Sequence, residues 1–228
     1  MNGILMPIVA AQGIWVRSTI KLAEPATGPT HGTVVDGSGP PVRLGVLGDS
    51  TAAGCGVRTH DEGFPACLAT QIAARSGRPV AWTVAGLPGA TARRIRHHVL
   101  PRLEGEFDVA VVLAGGNDVL SQRSLAAWEE NLSAIVADLS VRAKQVVVPG
   151  IPPFALFPSL PHPLGRYLGE RAAAFDEIGQ RVCACEPRAA WVGTTGTPPP
   201  GFFCRDRFHP SASGYRHWAE MVVPAVAL

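Results

Sequence analysis

The chain has 228 residues, 46% of them hydrophobic and 17% charged, with a formal net charge of +2 at pH 7. That composition excludes a disordered chain, and the length suits one α/β domain able to bury its own core. The charge is too small to argue for nucleic acid or an anionic membrane as a partner.

The first stretch, "MNGILMPIVAAQGIWVR", is apolar but short. It lacks the basic start of a secretory signal and the length to span a bilayer, so it is expected to pack on the domain. Residues 14–21 alternate enough to suggest a short edge strand. Residues 24–41, rich in Gly, Pro and Thr, read as loop. From residue 42 the pattern becomes regular. A strand is predicted over 42–47, a helix over 63–75, a strand over 79–85 and a helix over 91–103. The run "DVAVVLA" predicts a strand over 108–114 that is covered on both faces. A long helix follows over 125–142, then a strand over 145–148. A Pro-rich loop leads to a helix over 166–184 and a short strand over 189–192. A second loop, "GTTGTPPPGFFCRDRFHP", precedes a last helix over 211–223.

Strands alternating with helices imply a parallel sheet covered on both faces, with every strand ending at one edge. Ligands bind at that edge. Four short segments fall there: Gly48-Asp49-Ser50 after the first strand, "GLPGAT" with Gly86 and Gly89 after the second, Gly115-Gly116-Asn117-Asp118 after the third, and Asp206 to Pro210 before the last helix. A serine hydroxyl is a weak nucleophile that needs a base, and the base needs a partner to fix its tautomer. Asp206 and His209, three residues apart, can meet on a turn. His209 would then take the proton of Ser50. The negative oxygen formed by attack on an ester carbonyl needs preorganised donors. The Ser50 N–H at a helix start, a glycine N–H after the second strand and the Asn117 amide are candidates. Asp49 reads as a turn residue and Asp118 as structural; Asn117 could also cap the turn that follows the third strand.

On these segments the chain resembles the SGNH hydrolases, also called GDSL esterases and lipases, from about residue 42 to the last helix. The resemblance implies a three-layer α/β/α, flavodoxin-like fold with a five-stranded parallel sheet. It makes Ser50 the nucleophile, Asp206 and His209 its triad partners, and Ser50, Gly89 and Asn117 the oxyanion hole. "GLPGAT" departs from the usual Gly-x-Ser-Gly-x-Thr block at Pro88, so Gly86 is the alternative to Gly89. Residues 1–41 are expected as an extension packed on the domain and 42–228 as the hydrolase domain. The implied activity is hydrolysis of carboxylic esters, or thioesters, of small to medium acyl groups through an acyl-enzyme. An acyltransferase or an inactive binding relative would share the same residues.

No cofactor and no metal are expected. His97-His98 sits in the basic run "RRIRHH", His60-Asp61 lacks a third ligand, and Cys183 and Cys185 fall within a helix. "GDSTAAGCG" lacks the Lys-Ser/Thr of a phosphate loop. Five cysteines are expected free, in a reducing, cytoplasmic compartment. Phe154, Leu156, Phe157, Leu160, Phe202 and Phe203 of the two loops read equally as packing and as an apolar wall for an acyl or aryl group. The expected partner is a small-molecule ester.

Overall fold

The structure, a computed structural model, describes residues 5–194 and 196–227; the first four residues of the expected N-terminal segment lie outside them. Six strands form one sheet: β1 (His31–Val34), β2 (Val42–Gly48), β3 (Val80–Gly86), β4 (Phe107–Leu113), β5 (Ala143–Pro149) and β6 (Ala189–Val192). Their order is β1-β3-β2-β4-β5-β6. All neighbours from β3 to β6 are parallel, while β1 is antiparallel to β3. The sheet is therefore six-stranded and mixed, where the resemblance implied five parallel strands. The sixth strand lies within residues 24–41, which the sequence presented as loop.

The helices are α1 (Met6–Thr19), α2 (Phe64–Ser76), α3 (Ala92–Arg94), α4 (Gly116–Leu120), α5 (Leu125–Arg142), α6 (Leu164–Ala184) and α7 (Ala212–Val222). The strand expected over 14–21 is instead mostly the C-terminal part of α1. Pro7 suits the first helical turn and Ala10, Ala11 and Gln12 favour helix, which outweighs a weak alternation. The helix is tied to α6 by Gln12, whose amide donates to the His162 carbonyl at 2.9 Å and accepts from the Leu164 N–H at 3.0 Å. The helix expected over 91–103 passes from α3 through a π turn (Ile95–Val99) to a 3-10 turn (Leu100–Arg102). Pro101, lacking an N–H, interrupts the regular ladder.

The pleat of the strands sorts the core into two layers. Val109, Val111 and Leu113 of β4 join α2 and α7 on one face, while Ala110 and Val112 join α1, α5 and α6 on the other. In α2, Phe64, Leu68 and Ile72 stand one turn apart and are fully buried. Each such side chain stabilises the fold by at most about 1.5–3 kcal/mol. Among the described residues no helix is long and apolar enough to cross a membrane.

The order of the strands positions the site. The chain passes from β2 to β3 on one side of it, then crosses back to β4 on the other. A crevice opens where the direction reverses, outside the carboxyl ends of β2 and β4. Gly48-Asp49-Ser50 and Gly115 to Asp118 flank that crevice.

Candidate active site

Ser50 lies two residues beyond Gly48, the last residue of β2. The Asp49 N–H still pairs with the Leu113 carbonyl of β4 at 3.1 Å, so the ladder holds the chain up to the residue before the serine. Beyond it the backbone makes tight turns, with Ala53 N–H on the Asp49 carbonyl (3.0 Å) and Cys55 N–H on the Ser50 carbonyl (2.9 Å). The regular helix α2 starts only at Phe64, so Ser50 stands on a turn and not at the helix start the sequence suggested. Gly86 packs beneath this turn: a Cβ there would meet the Ala53 nitrogen at 2.3 Å. That close approach requires a glycine whatever else the residue does.

His209 arrives from the far end of the chain on a closed loop. Cys204 N–H donates to the His209 carbonyl at 2.8 Å and Ser211 N–H to the Phe202 carbonyl at 2.7 Å. Ser211 then caps α7, its hydroxyl accepting from Gly214 N–H at 3.1 Å. Gly56, at a φ of +103°, lets the serine turn pack on this loop; a Cβ there would meet the Pro210 carbonyl oxygen at 2.2 Å.

The three residues meet. His209 Nε2 lies 2.9 Å from Ser50 Oγ, and His209 Nδ1 lies 2.7 Å from Asp206 Oδ2. The Asp206 and His209 side chains are 2% and 4% exposed, so this pair is nearly shut off from solvent. The other carboxylate oxygen, Oδ1, accepts from the N–H groups of Phe208 and His209, both at 2.8 Å, and from the Cys204 thiol at 3.1 Å. Burial acts to raise the Asp206 carboxyl. The His209 ring and backbone, the Ala23 N–H and the Cys204 thiol outweigh it and hold the group well below the usual carboxylate range.

Asn117 is the second residue of α4. Its amide nitrogen donates to Asp49 Oδ2 at 3.2 Å, so the side chain does not cap the turn after β4. Asp49 accepts the Thr51 N–H and hydroxyl on Oδ1, at 2.9 and 2.8 Å. Asp49 is thus the turn residue the sequence suggested, and it also fixes the Asn117 amide, a contact the sequence reading missed. An ionised carboxylate only accepts, so it holds the NH₂ end toward itself and leaves the second hydrogen to point elsewhere. Burial pushes the Asp49 carboxyl up, against the hydrogen bonds from Thr51, the nearby His209 and the bond from Asn117. Asp118 takes the structural role, accepting the Ala92 N–H at the start of α3 at 2.8 Å. Burial pushes its carboxyl up to about 6, against the Ala92 bond and with the help of the Asp49 charge.

Ser50, Asn117 and His209 line one cavity, with about 1020 Å³ of empty space including its open mouth. Phe154 and Phe157 from one Pro-rich loop and Phe202, Phe203 and Phe208 from the other line it too. They pack on each other, with centroids 5.0 Å apart for Phe157 and Phe203 and 5.2 Å for Phe157 and Phe208. The phenylalanines therefore do both things the sequence allowed: they pack, and they wall the cavity. Leu156 and Leu160 are not in the wall; the first is exposed and the second is buried behind it. Gly89 sits on the turn after β3 with a φ of +70° and open space around its Cα, but it is not part of the cavity lining. Among the described residues, neither the Ser50 nor the Gly89 backbone N–H donates to another group.

The remaining candidates lie elsewhere. No group of three or more His, Cys, Asp or Glu side chains placed to hold a metal occurs among the described residues. His97 and His98 are exposed on the π turn. Cys183 is buried within α6 and Cys185 is exposed at its end; all five cysteines are free.

The sequence model of the GDSL-like lipase/acylhydrolase family matches residues 46–217, which contain Ser50, Gly89, Asn117, Asp206 and His209. The GDSL-like esterase Rv1075c of Mycobacterium tuberculosis is 25% identical over 249 residues, covering 96% of this chain and 76% of that protein. Among solved structures, TesA superposes with a TM-score of 0.62 at 26% identity, covering 80% of this chain and 96% of that one. The acetylxylan esterase Axe2 of Geobacillus stearothermophilus superposes with a TM-score of 0.57 at 19% identity, covering 84% and 96%, a likeness of fold.

Proposed function

We propose, from the premise that the chain belongs to the GDSL-like lipase/acylhydrolase family and so is an ester-hydrolysing serine hydrolase, that Ser50, His209 and Asp206 are its catalytic triad. One observation carries this reading: an unbroken chain of hydrogen bonds, 2.7 and 2.9 Å long, that ends on a serine hydroxyl at the floor of an apolar cavity.

The chemistry follows from the roles. His209 Nε2 takes the Ser50 proton as Oγ attacks the acyl carbonyl. Asp206 keeps the other ring nitrogen protonated and stabilises the imidazolium that forms. The carbonyl oxygen becomes an oxyanion, received by the Asn117 amide together with the backbone N–H groups of Ser50 and Gly89. His209 then gives its proton to the leaving alcohol, and water, activated by the same ring, releases the acyl group.

The cavity supports a small to medium apolar acyl group as substrate. Among its described lining residues Asp49 carries the sole carboxylate and no Lys or Arg is present. Such a wall rewards apolar contact and offers few groups for a sugar hydroxyl. We therefore read the acyl part of the substrate as an uncharged chain or ring.

Hydrolysis of p-nitrophenyl esters from acetyl to long-chain, by the parent and Ser50→Ala, tests the reading. We expect kcat to fall by a factor on the order of 10⁴–10⁶ with the circular dichroism spectrum unchanged. Equal activity in both proteins would overturn the assignment of the nucleophile.

A further inference from the structure

Asp206 Oδ2, the oxygen that holds the His209 ring, accepts one further bond, and it comes from outside the matched family segment. The donor is the backbone N–H of Ala23, at 2.9 Å. Ala23 belongs to residues 20–27, within the connection between α1 and β1. This connection is docked on the serine turn as well. Ala26 N–H donates to the Ala53 carbonyl and Thr27 N–H to the Arg58 carbonyl, both at 2.9 Å. The Ala26 methyl lies against Gly54, where an added Cβ would stand 2.7 Å from it.

From this we infer that residues 20–27 form a strap that positions the triad acid, with the Ala23 N–H as the positioning group. The physical reasoning rests on the lone pairs of one oxygen. A buried carboxylate oxygen has two in-plane sites. At Asp206 Oδ2 one is filled by the His209 Nδ1–H and the other by Ala23. With both filled, the carboxylate plane is fixed, and so is the direction in which it presents its bond to the ring. With the second empty, a buried lone pair would lack a partner, and on the Oδ2 side only the ring bond would resist a tilt of the carboxylate about its Oδ1 bonds. The strap is also bonded to the turn that carries Ser50. It therefore ties acid and nucleophile, 156 positions apart in the sequence (206 − 50), to one short backbone segment. Neither end depends on the side chain at position 23.

The inference rests on the triad reading above, and its test separates the two. Ala23→Pro removes this N–H, and Ala23→Gly keeps it. If the proline variant does not fold, lactic acid placed at position 23 by nonsense suppression removes the N–H alone. Active enzyme is counted in each case by titration with a fluorophosphonate, and kcat is expressed per titrated site. We expect kcat per site to fall about tenfold without the N–H, KM to stay within about twofold, and the glycine variant to match the parent. The low-field proton resonance of His209 Nδ1–H is expected to move upfield or broaden, reporting a loosened bond to Asp206. Fewer titrated sites with an unchanged kcat per site and an unchanged resonance would reduce the strap to a stabilising contact and overturn the inference. Ser50→Ala, run in parallel, keeps the outcomes apart: an active serine variant sinks the triad reading itself. An inactive serine variant beside a fully active lactate variant sinks the strap alone.

Discussion

Two sides of the same cavity are built in different ways. On one side stand His209, Ser50, Asp49 and Asn117, with Asp206 behind His209, each held by directional bonds between 2.7 and 3.2 Å. On the other stand Phe154, Phe157, Phe202 and Phe203, held by ring packing with centroids near 5 Å. Hydrogen bonds weaken steeply with angle, while apolar contact is nearly indifferent to it. The polar side therefore fixes where charge can develop, and the apolar side fixes how much chain fits. A change on the first side is expected in kcat, and a change on the second in KM and in substrate preference.

The contrast breaks most visibly at Asn117. Removing its amide in Asn117→Ala takes away a donor from the developing oxyanion, and kcat is expected to fall about 10²–10³-fold with KM little changed. Steady-state kinetics on a butyrate ester measures the split. A rise in KM at constant kcat would show that the amide grips the substrate in its ground state, and the division between the two sides would fail. On the apolar side, Phe157→Ala is expected to raise KM for an octanoate ester about tenfold while leaving acetate hydrolysis within about twofold. An equal loss for acetate and octanoate would mean that the wall supports the triad and does not size the pocket.

The smallest effect concerns stability and is read by pH. The Asp118 carboxyl titrates near 6 in the folded chain against an ordinary value of 3.8. Between those values the folded protein holds a proton that the unfolded chain has released. The stability this group contributes is full below about pH 4 and lost as pH rises through about 6. Asp118→Asn keeps an oxygen to accept the Ala92 N–H. It is expected to be more stable than the parent by about 2 kcal/mol at pH 7, with the difference vanishing near pH 4. Urea unfolding at three pH values checks the sign. A gap that stays constant with pH would show that the carboxyl titrates alike in the folded and unfolded chains.

The same contrast explains what could be read from the amino-acid sequence. The polar side is encoded by neighbours in the chain: Gly48-Asp49-Ser50, Gly116-Asn117-Asp118 and Asp206 to His209. A strand end or a single turn places the residues of each segment together, and the segments meet because the strands of a parallel sheet end at one edge, although the Asn117–Asp49 bond across 68 positions left no trace. The wall joins residues 154 and 157 to residues 202 and 203, and no local pattern records that meeting. β1 escaped notice for a related reason. Its four residues are alternately exposed and half-buried, and it becomes a strand through its pairing with β3. Gly32 lies flat over Trp82 there, an added Cβ falling 2.6 Å from the indole. Helix α1 buries little but Val9, so its face left only a faint periodicity. The Ala23 N–H left none, because a backbone donor is common to every residue but proline.

Phe208 belongs to both sides at once. Its N–H is bonded to Asp206 and its ring packs against Phe157. The wall is therefore not equally open to redesign along its length. Substitutions at Phe154 or Phe203 can recut the pocket for a new acyl group and leave the rate alone. At Phe208 any change of shape reaches the loop that carries the acid and the base, so selectivity and speed must shift together. A laboratory search for new substrates would do well to vary the first two positions freely and to keep the third fixed, and natural drift in specificity is expected to run along the same line.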